Sequence, residues 1–282
     1  MTNKNKILCT GGAGFIGSHL VKELNEHDIA PTVIDDLSTG SLDNLKGLEY
    51  DLIKMDLSLG FNKFNNIEKF LNQYDVVYHL AAKIDARNDD VDDFLNNIEM
   101  LKNAVLMLKD GGTIVFASSC AVYGNTTDAK ETDKLNPFGD YGFYKYIAEK
   151  YIKKHCLNYK IFRFGNVFGE RQKDGLIAKI KYAKENNETI KLFNQGKSMR
   201  DYVYVKDIVR ALVDYTYAVN DTYNLGTGYG YFTRTLVNKV DVKNEIGKNV
   251  NEITSSRLNI DKINGLGWKP TLDPITYLTK KQ

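Results

Sequence analysis

Residues 10–17 read TGGAGFIG, and this glycine turn restricts the possible folds more than any other part of the chain. Gly11, Gly14 and Gly17 recur at every third position. They follow the apolar run Lys6–Thr10 (KILCT) and precede a segment with helical periodicity that includes His19–Asn25. A strand, a glycine turn and a helix in that order bring backbone N–H groups and the positive end of a helix up to a bound phosphate. Glycines in a tight turn can also serve backbone geometry alone. What argues for the ligand is the next strand, Pro31–Asp35 (PTVID), which ends in a carboxylate about twenty residues further on. There Asp35 can hold a ribose 2′-hydroxyl and, with Asp36, repel a 2′-phosphate. The expected ligand is a dinucleotide, NAD rather than NADP.

Further strands are expected at Tyr50–Leu57, Asp75–Leu80, Gly112–Ala117 and Lys160–Phe164. Helices are expected around Asn66–Asn72, over Asp93–Lys109, around residues 140–150, and at Leu176–Glu185 and Val205–Tyr217. Alternating strands and helices predict an α/β fold, a doubly wound parallel sheet covered on both faces. With 43% hydrophobic residues, the 282-residue chain can bury a sizeable core. Its 38 basic and 36 acidic residues nearly cancel, and no long basic block stands out, so neither nucleic acid nor a membrane surface is an expected partner. The amino terminus is polar, without the pattern of a signal peptide, and no run of about 18 apolar residues occurs. Cys9, Cys120 and Cys156 are odd in number and scattered, which points to reduced thiols in the cytoplasm. The four histidines show no ligand spacing with them, so no metal site is expected.

The stretch DYGFYKYIAEK (140–150) places a tyrosine four residues before a lysine twice: Tyr141 with Lys145, and Tyr146 with Lys150. On a helix each pair shares a face, with Cβ atoms roughly 5–6 Å apart. Spacing alone does not say whether either pair does chemistry.

The other ordered segments decide between them. TGGAGFIG, HLAA (79–82), ASSCAVYG (117–124), YGFYK (141–145), RFGNVFGERQ (163–172) and MRDYVYVKD (199–207) together make the chain resemble the extended short-chain dehydrogenase/reductases. Among these it is most similar to the NAD-dependent nucleotide-sugar epimerases and dehydratases of the UDP-glucose 4-epimerase type. The resemblance runs from Lys6 to about Pro270. It implies a Rossmann domain over residues 1–165. Residues 166–282 would form mainly a smaller, mixed α/β substrate-binding region, with some segments returning to the first domain. It also implies a homodimer and a UDP-sugar substrate.

By this resemblance the catalytic tyrosine opens its helix after a proline-containing loop. Tyr141 follows NPFGD and lies 22 residues after Ser119, whereas Tyr146 has no such setting. The implied catalytic set is Ser119, Tyr141 and Lys145, with a strand-end serine that only caps a turn the alternative for Ser119. A phenol with pKa near 10 is a weak base at neutral pH. A neighbouring ammonium favours the phenolate, which can then take a proton from a sugar hydroxyl. The implied cofactor contacts are Gly11, Gly14, Phe15, Ile16, Gly17, Asp35, Asp56, Leu57, Leu80, Ala81 and Ala82, with Tyr141 and Lys145; an exposed strand-end carboxylate is the alternative for Asp56. Asn97 either supports the site or is a plain surface residue of its helix. Substrate contacts fall on Ser119, Asn166 and Arg200, with a surface salt bridge the alternative for Arg200. Tyr144 stands where relatives usually have a small residue.

After Ser119 the chain has Cys120 and Ala121, where related dehydratases and decarboxylases carry carboxylic acids. This favours a 4-epimerase that oxidises C4 to a transient 4-keto sugar and reduces it again. A 4-ketoreductase and a non-catalytic dinucleotide sensor are the alternatives. The proton-carrying cysteine of the related 3,5-epimerase/4-reductases would fall at Ala121, one place from Cys120, so Cys120 reads as a packed small residue, with a proton carrier the alternative. An Arg-Pro-Gly-Asp segment usual near the carboxy terminus is missing, with Arg257 the candidate replacement for its arginine. Ser256 falls near a position that would leave room for N-acetyl sugars.

Overall fold

The computed structural model describes residues 5–59, 69–83 and 91–280. The first half of the chain runs β1 (Ile7–Thr10), α1 (Phe15–Glu26), β2 (Thr32–Asp35), β3 (Asp51–Lys54), β4 (Tyr74–His79), α2 (Val91–Leu106), β5 (Leu108–Ser119), β6 (Thr126–Ala129) and α3 (Gly139–His155). Next come β7 (Asn158–Phe164), β8 (Asn166–Phe168), α4 (Leu176–Asn186), β9 (Ile190–Leu192), β10 (Met199–Tyr204), α5 (Val205–Asp214), β11 (Asp221–Leu225) and β12 (Gly230–Phe232). The last elements are α6 (Thr233–Lys239), β13 (Asn244–Ile246), β14 (Ser255–Leu258), α7 (Asp261–Asn264) and α8 (Pro274–Thr279).

The chain divides into two compact units. Unit 1 comprises 1–118, 139–162 and 209–222, and unit 2 comprises 119–138, 163–208 and 223–282. The main sheet has seven strands in the order β11-β7-β5-β4-β1-β2-β3. The β1–β2, β1–β4, β2–β3 and β4–β5 pairs are parallel. This is the doubly wound α/β architecture expected from the alternating pattern. The core of unit 1 joins Leu8, Ile34, Val77 and Phe116 of the sheet with Leu101 of α2 and Tyr144, Ala148 and Ile152 of α3.

The third strand is shorter than Tyr50–Leu57 because its partner β2 offers only four residues, Thr32–Asp35, to pair with Asp51–Lys54. Of the helix expected around Asn66–Asn72, residues 66–68 lie outside the described residues and 69–72 form a turn. The helix from Val205 stops at Asp214, three residues before Tyr217.

Unit 2 holds a second sheet, β12-β10-β14-β6, with β8 paired to β10, and a separate β9–β13 pair. Most of its strands are three or four residues long. Such short strands show too little alternation to be found by periodicity. Asp201 of β10 ties the unit together from a buried position. Its carboxylate accepts the Thr227 N–H and hydroxyl (both 2.7 Å) and the N–H groups of Gly228 and Leu258. The three cysteines are free thiols, Cys9 and Cys120 buried and Cys156 half-buried. Among the described residues, no helix is long and apolar enough to cross a membrane, and no cluster of ligating side chains could hold a metal.

Candidate active site

The glycine turn in unit 1 is built by close backbone contact. Gly11 has φ +70°, and a Cβ there would lie 2.8 Å from the Ala81 nitrogen. A Cβ on Gly17 would run into the Gly11 carbonyl, so both positions exclude any larger residue. Helix α1 starts from Gly14 with no side-chain cap and no acidic residue in its first turn. Its leading N–H groups and positive dipole end are thus left for an anion.

One cavity of about 280 Å³ is lined by Gly11, Gly14, Phe15, Ile16, Gly17, Asp35, Asp56, Leu57 and Leu80, Ala81 and Ala82. At its edge the two Asp35 oxygens accept N–H groups of Leu37 and Ala13, each at 2.9 Å. Burial raises the Asp35 pKa and those two N–H groups partly offset the rise. A carboxylate has about four acceptor sites, so this one can also take ribose hydroxyls. Asp56 accepts the Ser58 N–H and hydroxyl on one oxygen, at 2.8 and 2.7 Å. A glycine cradle at a helix start with a carboxylate at the second strand end fits a dinucleotide.

Helix α3 in the same unit places Tyr141, Lys145 and Glu149 at successive four-residue steps, on one face. Tyr141 is half-buried. Lys145 is 3% exposed, and its Nζ donates to the Ala117 carbonyl at 2.6 Å. The ammonium lies 4.7 Å from the Phe116 ring centroid, 5.0 Å from that of Tyr144 and 5.6 Å from that of Tyr141. Burial pulls the Lys145 pKa down to about 7, and the Glu149 carboxylate opposes that fall. Glu149 is itself buried and accepts the Ser118 hydroxyl at 2.6 Å. Tyr144 is fully buried, which raises its pKa, and its ring walls the lysine rather than merely filling space. The second pair behaves differently: Lys150 is exposed and lies 5.5 Å from the Tyr146 ring centroid.

His79 is 1% exposed, and its Nδ1 meets the Thr10 hydroxyl at 2.8 Å. Burial, and then the Lys145 charge, push its pKa down to about 3, so the imidazole is neutral. Asn97 is not a surface residue. It is 3% exposed, and its amide bridges the Lys83 N–H (2.7 Å) and carbonyl (2.9 Å).

Ser119 opens the 119–138 segment of unit 2. Its hydroxyl accepts the Ala121 N–H at 3.2 Å and caps the short 3₁₀ turn Cys120–Tyr123. Cys120 is buried, and burial pushes its thiol up to about 11, which suits a packed residue better than a proton carrier.

A second cavity, of about 260 Å³, lies within unit 2, and Asn166 and Arg200 both line it. The Asn166 amide donates to the Asp201 carbonyl at 3.3 Å. Arg200 forms an ion pair with Glu252 at 2.9 Å, with only 15% of its side chain exposed, so it is a cavity residue as well as a paired one. Ser256 is buried on β14 and does not line this cavity. Arg257, the candidate for the missing arginine, does not line it either, and its guanidinium meets the Thr127 carbonyl and Asp128.

Sequence reasoning missed Ser118, Glu149 and Glu252. Glu149 could have been found, since it repeats the four-residue step of Tyr141 and Lys145. Glu252 carried no local signal, being 52 residues from Arg200.

The sequence model of the NAD dependent epimerase/dehydratase family matches residues 7–226. The chain is 35% identical to the Methanocaldococcus jannaschii protein named "Putative UDP-glucose 4-epimerase", over 95% of this chain and 94% of that one. It is also 30% identical to a dTDP-4-dehydro-6-deoxyglucose reductase of Escherichia coli, again over 95% and 94%. The crystal structure of the Thermus thermophilus UDP-glucose 4-epimerase complex with NAD superposes with a TM-score of 0.84, at 26% identity and 96% coverage of both chains. A match of the family model over residues 7–226, a range that includes the glycine turn and the Tyr141 helix, leads to one conclusion: the chain belongs to the NAD-dependent epimerase/dehydratase family, and its cofactor is NAD.

Proposed function

We propose that the protein is a nucleotide-sugar 4-epimerase acting on UDP-sugars of the glucose and galactose type. It would oxidise C4 to a transient 4-keto sugar and reduce it again on the opposite face. The observation that carries the choice of reaction is the pair after Ser119. Cys120 and Ala121 offer no carboxylic acid, and the buried Cys120 thiol holds its proton. Elimination of water needs an acid and a base beyond the tyrosine, and this segment supplies neither.

Bound NAD supplies a hydride acceptor that returns the hydride within the same cycle. Tyr141 takes the proton of the sugar hydroxyl at its phenol oxygen and gives it back. Lys145, fixed by the Ala117 carbonyl, favours the phenolate while it is charged. Ser119 hydrogen-bonds the reacting oxygen. Asp35 selects NAD by its ribose hydroxyl, and the α1 start carries the pyrophosphate. Asn166 and Arg200 hold the substrate's diphosphate, for which a guanidinium offers a fixed fork of donors.

The test is proton NMR of the purified protein with UDP-glucose and UDP-galactose, first without and then with added NADH, and then with a nucleotide 4-keto sugar and NADH. Appearance of the C4 epimer without reductant is the expected outcome. Stoichiometric NADH consumption on a 4-keto sugar, with no epimerisation, would replace the epimerase by a 4-ketoreductase, the activity of the Escherichia coli relative.

A further inference from the structure

The charges around the unit 2 cavity carry an inference that rests on the nucleotide-sugar reading above. Its lining holds two cations, Lys191 and Arg200, and both already face carboxylates. Lys191 pairs with Glu245 at 3.7 Å, with both side chains more than half exposed, so that pair is weak. The Arg200–Glu252 pair is shorter and better shielded, at 2.9 Å with 15% and 31% side-chain exposure. Glu252 also lines the cavity. A diphosphate entering here would meet a carboxylate on the guanidinium best placed to bind it.

The pair can open at modest cost. Arg200 reaches Glu252 through Nη2 and Oε2 only. The other Glu252 oxygen accepts the Asn194 amide at 2.8 Å and the Ser198 hydroxyl at 2.5 Å. When the arginine turns away, the carboxylate keeps those two donors and is not left unpaired. Arg200 in turn keeps the Met199 carbonyl through Nη1, at 3.0 Å. Glu252 sits in a stretch, 247–254, without helix or strand, whose backbone is held by hydrogen bonds at Gly247, Lys248, Val250 and Thr254, so the pair opens by side-chain rotation alone.

We propose that Glu252 is a specificity-determining residue that competes with the substrate's diphosphate for Arg200 and yields the guanidinium when a nucleotide diphosphate binds. A ligand lacking the diphosphate cannot displace it. The carboxylate therefore trades affinity for discrimination: weak anions are refused, and the diphosphate of a nucleotide sugar is accepted at reduced strength.

Calorimetric titration of the NAD-loaded protein with UDP, and separately with uridine, tests this on wild type and Glu252→Gln. Glutamine keeps an oxygen for Asn194 and Ser198 and removes the charge. The expected result is a roughly 3- to 10-fold lower Kd for UDP in the variant, with uridine affinity unchanged. Glu252→Asp, which draws the carboxylate back from Arg200, should move UDP binding the same way by less. Equal or weaker UDP binding by Glu252→Gln, or a parallel change for uridine, would overturn the competition and make Glu252 a residue that orients Arg200. If neither protein binds UDP while NAD binding is intact, the nucleotide-sugar reading fails and this inference fails with it.

Discussion

Replacing Lys145 by methionine should make the cofactor-free protein more stable at low pH, by an amount that the structure allows to be worked out. Burial lowers the Lys145 pKa from the ordinary 10.5 to about 7. At 1.36 kcal/mol per tenfold change, holding this ammonium in the folded protein costs about 5 kcal/mol. A methionine of similar length avoids that cost but leaves the Ala117 carbonyl without its donor, a loss of about 1–3 kcal/mol. A net gain of about 2–4 kcal/mol at pH 6 follows. The sign of the pH dependence is fixed by which state binds the proton. Between about pH 7 and 10.5 the unfolded wild-type chain keeps the Lys145 proton and the folded one has shed it. Wild-type stability from this group therefore rises with pH across that window and is flat below it. The advantage of Lys145→Met should be greatest at pH 6, shrink by about 1.4 kcal/mol per pH unit above pH 7, and vanish between about pH 8.5 and 10, where the falling cost of the charge equals the lost hydrogen bond. Unfolding midpoints of both proteins at pH 6, 7, 8 and 9 measure it. An advantage independent of pH, or a variant less stable than wild type at pH 6, would refute a charged, desolvated lysine as its source. The variant should also be inactive, so that the buried ammonium is a case of stability given up for chemistry.

Three further outcomes are expected. Tyr141→Phe should retain NAD and the fold, by thermal shift with cofactor, while kcat for epimerisation falls roughly 10²- to 10⁴-fold. Gly17→Ala drives a methyl into the Gly11 carbonyl, so it should lose NAD binding by calorimetry and about 1–3 kcal/mol of stability in urea unfolding. Ser118→Ala strips the buried Glu149 carboxylate of a 2.6 Å hydrogen bond and should cost about 1.5–3 kcal/mol at neutral pH, read from the same unfolding curves.

Much of unit 1 was legible because its signals are local. Thr10–Gly17 can only be a tight turn between strand and helix, since its glycines press on one another's backbone within seven residues. Asp35 ends the strand that pairs with β1, and that pairing brings its carboxylate back to the turn, where it accepts the Ala13 N–H. The helical period alone sets Tyr141 and Lys145 on one face. The short strands of unit 2 were not legible, because three-residue segments are specified by their partners rather than by their own pattern.

What the sequence determined by itself is the chemistry offered: a dinucleotide turn, a tyrosine one helical turn before a lysine, and a serine followed by no acid. Only the tertiary structure decided how those groups are tuned. The low pKa of Lys145 arises from burial, with the rings of Phe116 and Tyr144 closing around it and Phe116 nearly thirty residues away in the chain. The Arg200–Glu252 pair, the burial of Ser256 and the capture of Arg257 by Thr127 and Asp128 likewise join segments distant in sequence. Backbone conformation follows from sterics among near neighbours, whereas desolvation and ion pairing depend on which distant segments exclude water together.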